Sequence, residues 1–414
     1  MLRFVESFDW WGSATNPNLG ALGGPSQLKY TFTDPFSGFR AAPGRYGGNA
    51  GAMNIIISQP TLTKQLDAQP QWAATFAFQP HNAFGLSGWG NGIFARLDAS
   101  TAPGVPVLSV VIDNAGYMRF YTGGNGGTNR GTLIATAPWL FALDVWAAVD
   151  ITVDIPGRRL ECWVNDVQQL VVVGIVWAHG PAVYPDTWAW TWWPAGGNNN
   201  RGYVVDDFGL ADGQGPLNNG RLGPCRAVLV LPNSDATEPQ WTRHATAGGG
   251  AFLAPPTADY QCIDDANPSI GYPDGDQSYI ETAMAGAIDL FGVPGPNCFG
   301  RNLGLAANAC LKAPGVPAPV DLICRADPTI ATVTQIGGSV PAILGAKYAT
   351  QQRVSESSIL RPGQVWTDGE IGNAWWGLRC PGPGFPRVTQ FFLEKLTSTR
   401  VQPFDCGQIG SYSF

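Results

Sequence analysis

The sequence predicts an all-β protein of two β-rich domains. Charged residues make up only 13% of its 414 residues, roughly half the usual share of about 25%. Glycine (53) and proline (34) are abundant, and there are 16 tryptophans. Apolar residues alternate with period two through most of the chain, the signature of half-buried strands joined by tight turns.

Val107 to Ile112 reads as a mostly buried strand, Asp113 to Gly116 as a turn, and Tyr117 to Tyr121 as the returning strand. Trp146 to Asp154 alternates, Pro156-Gly157 turns, Leu160 to Val164 alternates again, and Asn165-Asp166 leads into Gln168 to Val173. These make three consecutive antiparallel strands. Trp188 to Trp193 is a further strand, and Tyr203 to Leu210 closes the first domain, placed at 1–213. The turn-rich stretch Gly213 to Gly220 is the connector. The second domain, 222–396, opens with a strand at Arg226 to Leu231, with later strands at Pro319 to Arg325, Thr332 to Ile336 and Val388 to Leu393. Glu281 to Leu290 reads as a short helix weakened by Gly286; none is expected before residue 280. Residues 397–414 read as a tail.

A net charge of −7 without a basic cluster argues against nucleic acid as a partner. No stretch reaches the about eighteen apolar residues of a membrane helix, and the first residues lack a secretory signal's apolar core. Synthesis in the host cytoplasm and no membrane partner are the expectations.

Trp146 to Asp154 with Leu160 to Val167 resembles the laminin-G and concanavalin-A-like jelly roll, in which a tryptophan opens one strand and "W-V-N-x" ends the next. Val204 to Gly213 looks like that fold's closing "x-D-D-F-x-x-x-D-G" strand. More specifically, Glu6-Ser7-Phe8-Asp9 is similar to the opening of a class of tailed-phage virion structural proteins. Leu222-Gly223, Leu231-Pro232-Asn233-Ser234-Asp235, Trp241-Thr242, Asp264-Asp265, Asp276 to Ile280 and Asp289-Leu290-Phe291 match that class's second domain in order. The resemblance implies a virion location and a non-enzymatic role as capsid decoration, head-fibre or tail-associated protein. It further implies a homo-oligomer, with a trimer preferred, contacting capsid or tail proteins. The alternative is a carbohydrate-binding adhesin for a host surface glycan.

Several residues bear on that choice. Trp188, Trp190 and Trp192 share one strand face and form either a glycan-stacking platform or core. Trp375 and Trp376, among glycine and proline, are candidates for a subunit interface. Asp150 and Asp154 are the best carboxylate pair for glycoside hydrolysis, but lack the surrounding pattern such an enzyme needs, so no catalytic residue is assigned. On the structural reading they cover a solvated sheet face. Asp206-Asp207 and Asp274-Gly275-Asp276 would supply hard oxygen ligands to calcium or order turns; no other cofactor is implied. His244 has no nucleophile motif nearby. Cys225, Cys262, Cys298, Cys310, Cys324, Cys380 and Cys406 lie in the second half and Cys162 in the first, with no metal-ligand spacing. They are either buried thiols or disulfides formed in an oxidising exterior.

Overall fold

A computed structural model describes residues 1–8, 31–32, 39–46, 49–54, 61–81, 92–113, 115–125, 129–194, 202–236, 239–245, 256–263, 278–295, 300–315, 318–327, 329, 331–341 and 348–399. The described chain is all-β. Its first half begins with β1 (Leu2–Glu6), β2 (Thr31–Phe32), β3 (Phe39–Pro43), β4 (Asn49–Asn54), β5 (Thr61–Gln65) and β6 (Gln71–His81). β7 (Gly92–Asp98), β8 (Leu108–Ile112), β9 (Tyr117–Thr122) and β10 (Thr132–Leu140) follow. β11 (Ala147–Asp154), β12 (Arg159–Val164), β13 (Val167–Val173), β14 (Thr187–Pro194) and β15 (Gly202–Asp212) complete it.

These strands form two antiparallel sheets. Sheet A runs β13-β12-β11-β6-β15-β4-β3, with β1 also paired to β15; sheet B runs β10-β9-β8-β7-β14-β5-β2. The hairpin signals act as expected. Asn165 and Asp166 both take positive φ (50° and 67°), which makes the tight β12–β13 turn. One core fills the space between the sheets: Phe76, Phe78, Val149 and Ile151 from sheet A meet Phe94, Val110, Phe120 and Trp190 from sheet B.

The second half contains β16 (Cys225–Val230), β17 (Ser234–Asp235), β18 (Thr242–Ala245), β19 (Ser278–Glu281), β20 (Ile288–Gly292) and β21 (Arg301–Lys312). β22 (Pro319–Arg325), β23 (Thr334–Gln335), β24 (Val340–Pro341), β25 (Ala349–Ser355), β26 (Trp375–Arg379) and β27 (Arg387–Ser398) follow. Sheet C runs β18-β19-β27-β21-β25, with β16 also on β27; sheet D runs β17-β20-β26-β22-β23, with β24 also on β22. Leu305, Ala307 and Leu393 face Leu322, Trp376 and Leu378 across this second core.

Two local readings are corrected. The helix expected over Glu281 to Leu290 is instead the end of β19, a turn and β20. Gly286 stands at φ +85°, a left-handed conformation that no helix accommodates, and Ala287 N–H donates to Met284 O at 3.2 Å. Among the described residues an α-helix forms elsewhere, α1 (Asp368–Asn373), and carries a complete capping box: Thr367 accepts from Glu370 N–H, and the Glu370 carboxylate accepts from Thr367 N–H. Thr397 and Ser398, assigned from sequence to a tail, end β27 and are buried; 400–414 lie outside the described residues.

The two sandwiches pack outer face to outer face, giving the layer order B, A, C, D. Small residues let the two inner sheets approach: Ala73 and Ala211 of sheet A meet Ala227, Ala306 and Leu396 of sheet C. Gly209 lies here too, and a Cβ on it would come within 2.8 Å of the Leu396 side chain.

Strand β1 sits in this seam and is bonded on both sides. It pairs with β15 from Leu2↔Ala211 to Glu6↔Phe208. On its other side the Gln352 carboxamide acts like a neighbouring peptide, accepting from Val5 N–H at 3.3 Å and donating to Val5 O at 2.8 Å. Ser7 then donates through N–H (2.8 Å) and hydroxyl (3.0 Å) to the buried Glu394 carboxylate, which also accepts from Asn308 and Gln352 at 3.1 and 3.0 Å.

Candidate functional site

The outer face of sheet A is only partly covered by sheet C. Beyond the seam, a groove of about 210 Å³ runs between this face and the connector at residues 213–221. Alternation on β11 explains its floor. Val149, Ile151 and Val153 enter the core, which turns Asp150, Thr152 and Asp154 outward. Gln71, Thr152, Asp154, Arg159, Glu161 and Arg221 line it.

These side chains form three polar groups. Gln71 Nε2 donates to Asp154 Oδ2 at 3.0 Å, and Gly157 N–H donates to Asp154 Oδ1 at 2.8 Å. Arg159 pairs with Glu161, whose other oxygen accepts from the Thr152 hydroxyl at 3.4 Å. At the groove's end Arg221 reaches across from the connector. It donates to Asp150 Oδ2 at 3.0 Å and to Asp166, and its guanidinium lies 4.5 Å from the Trp163 ring centroid. Asp150 is therefore buried under Arg221, so the expectation of a solvated carboxylate there is corrected. Asp150 and Asp154 share a face, but one holds Arg221 and the other holds a turn.

The tryptophan platform is also corrected for two members. Trp190 is fully buried and Trp188 is 3% exposed. Trp190 packs 5.1 Å from Phe76 and 4.9 Å from Phe208, centroid to centroid, and Trp188 lies 5.2 Å from Trp190. Their face of β14 points into the sandwich because core positions need large apolar volume. The Trp192 side chain lies outside the described residues. Trp376 is likewise fully buried in its own sandwich, with Nε1 donating to Ile371 O at 3.0 Å and Trp366 at 5.1 Å, so it is corrected from interface to core. Trp375, its neighbour on β26, points the other way and stays half-buried against Leu290 and Ile323.

Asp206 and Asp207 order backbone. Asp206 accepts from Arg45 N–H and Asp207 N–H, each at 2.9 Å, and Asp207, at φ +55°, accepts from Ala227 N–H at 2.8 Å. The second contact bridges the two sandwiches. Among the described residues no group of three or more His, Cys, Asp or Glu is arranged for a metal ion. Asp264, Asp265, Asp274 and Asp276 lie outside the described residues. His244 stacks on Tyr279 at 4.8 Å and reaches Glu281 at 3.0 Å.

The disulfide expectation is corrected for the cysteines that can be placed. Cys162, Cys225, Cys262, Cys310, Cys324 and Cys380 are buried, and no disulfide joins any two of them. Burial pushes the thiols of Cys162, Cys324 and Cys380 upward in pKa, away from the reactive thiolate. Cys298 and Cys406 lie outside the described residues. Native alkylation followed by mass analysis is expected to label at most two of the eight cysteines, and all eight after denaturation. Rapid native labelling of Cys324 would contradict its burial.

Sequence reasoning missed one chemical group, a buried carboxyl pair in the second sandwich. Asp289 on β20 is fully buried, and Asp259 is 1% exposed. Asp235 holds the Asp259 and Tyr260 N–H groups at 2.7 Å each. Arg243 reaches Asp259 at 3.1 Å. Desolvation, then the charge and hydrogen bond of Asp259, push the Asp289 carboxyl up to about 9; burial also raises Asp259. Gly377 lies against this strand, where a Cβ would come within 1.9 Å of Asp289 O. The pair is sealed, so it does not meet a substrate.

No family model and no curated protein matches the chain. Among solved structures, the cellulose-induced protein Cip1 is 12% identical, with a TM-score of 0.37 over 53% of this chain and 99% of that one. The carbohydrate-binding module CBM66 from Bacillus subtilis is 8% identical, with a TM-score of 0.31 over 45% of this chain and 96% of that one. A sialidase is 7% identical, with a TM-score of 0.34 over 51% of this chain, which spans only 18% of the sialidase. These are distant similarities to β-sandwich proteins, several of them named for carbohydrates.

Proposed function

We propose that the chain is a non-enzymatic binding and assembly protein of a tailed-phage particle, working in several copies. The observation that carries this reading is the fate of the residues behind the resemblance. Ser7 ties β1 to Glu394, Phe8 enters the first core, Asp235 holds the turn at Asp259, and Trp241 and Phe291 enter the second core. These are framework positions, and one of them, Ser7, ties the two sandwiches together. The carboxylates named as possible catalytic groups are engaged in holding Arg221 and a turn. Antibody against the chain should label purified particles from the culture that carries its gene. Free chain in the lysate with unlabelled particles would overturn the reading.

A second reading, recognition of a surface glycan, is favoured by the groove on sheet A. Its donors and acceptors are held in place by one another, as ligand hydroxyls require. Its size is below the about 300 Å³ of ordinary small-molecule sites, which suits one sugar ring at a chain end. A glycan array probed with the full chain tests this: binding that Arg159→Ala abolishes at unchanged melting temperature supports it, and an array without signal removes it.

A further inference from the structure

We infer that the open side of the first sandwich, formed by β13 and β10, is a self-association surface at which two copies pair β13 to β13 across a two-fold axis. This rests on the reading that the chain works in several copies, and it names the contact.

The backbone gives the first argument. β13 ends sheet A and β10 ends sheet B, and the two lie against each other on one side of the sandwich. Each therefore has one edge of N–H and C=O groups unpaired within the sheets as described. Other sheet ends are short or charged: β2, β17, β23 and β24 have two residues each, and β3, β18 and β25 contain Arg40, Arg243 and Arg353. Short or charged edges are how β-proteins avoid pairing with their neighbours. β13 and β10 have seven and nine residues and contain no charged side chain.

Side chains give the second argument. Leu170 and Val172 turn inward against the core, which leaves Val171 and Val173 outward at 44% and 67% exposure. Val167 on the same strand and Val176 just beyond it are exposed as well. Isolated exposed apolar residues are ordinary, but a group gathered on one open sheet edge marks a contact.

Charge selects the occupant. A chain of net charge −7 repels its own copy over most of its surface. An uncharged edge of this length is where two copies approach without that penalty, and an antiparallel edge is self-complementary about a two-fold axis. The partner edge must be extended, neutral and β-branched; Val-Gln-Gln-Leu-Val-Val-Val of a second copy meets each condition.

The test is sedimentation of the full chain from micromolar to hundreds of micromolar. Wild type is expected to show a dimer, and the double variant Val171→Lys/Val173→Lys to sediment as a monomer with unchanged circular dichroism and melting temperature. Leu360→Lys, on an exposed residue of the other sandwich, should leave the dimer intact. Self-association that survives both lysines overturns this contact while leaving assembly in copies standing. A wild-type chain that stays monomeric throughout overturns both.

Discussion

Replacing Asp289 by asparagine is expected to make the protein more stable in mild alkali than the wild type. A carboxyl buried against Asp259 keeps its proton in the folded state up to about pH 9, whereas an ordinary aspartate loses it near 3.8. Between these values the folded state binds the extra proton. Stability therefore falls as pH rises through the window and levels off above it, the reverse of a salt-bridged carboxylate. Each unit of pH across a full proton difference corresponds to about 1.4 kcal/mol, so the wild type should lose at least about 3 kcal/mol between pH 5 and pH 8. Asp98 and Glu356, both raised by burial, add slope of the same sign. Glu370, held down to about 2 chiefly by its hydrogen bond to Arg361, acts only in the acid range. The readout is therefore the difference between Asp289→Asn and wild type in urea midpoints at pH 5, 6.5 and 8. Parallel curves would mean that Asp289 carries no proton at neutral pH.

Truncating Glu394 to alanine should be the most damaging substitution in the seam. It removes the acceptor for Ser7 N–H, the Ser7 hydroxyl, Asn308 and Gln352, and leaves those donors in a dry interface. An unsatisfied buried polar group costs about 1–3 kcal/mol, so a total near 4 kcal/mol is expected once the neighbours partly relax. Hydrogen exchange at residues 2–7 should rise sharply, and chemical unfolding should split into two transitions as the sandwiches lose their coupling. Glu394→Gln, which keeps one acceptor oxygen, should recover about half of the loss. Wild-type exchange at residues 2–7 in Glu394→Ala would mean that β15 and Gln352 hold β1 without the carboxylate.

Much of the fold was legible, and the reasons differ by element. The hairpin at Pro156-Gly157 and Asn165-Asp166 follows from turn residues between alternating runs, so β11, β12 and β13 fall within a residue or two of expectation. The helix at Asp368–Asn373 was not anticipated: its capping box, Thr367-x-x-Glu370, stands in the sequence but is hidden among glycines. The site was harder. Arg221 lies in a turn-rich connector and meets Asp150 only because the sandwiches stack, a contact 71 residues apart in sequence. Asp289 sits in an ordinary alternating strand, and only the sheet D packing shows that its carboxyl is enclosed with that of Asp259. Trp188 and Trp190 were ambiguous because alternation assigns a shared face without saying which way it looks.

The doubly bonded β1 has a mechanical consequence. A force along the strand axis would load its hydrogen bonds to β15 and Gln352 in parallel, so they must fail together. A force perpendicular to the axis would open the same bonds one at a time. The junction between the sandwiches should accordingly resist sliding far better than peeling. A particle component seated by one sandwich and tugged through the other would hold or release according to the direction of the pull.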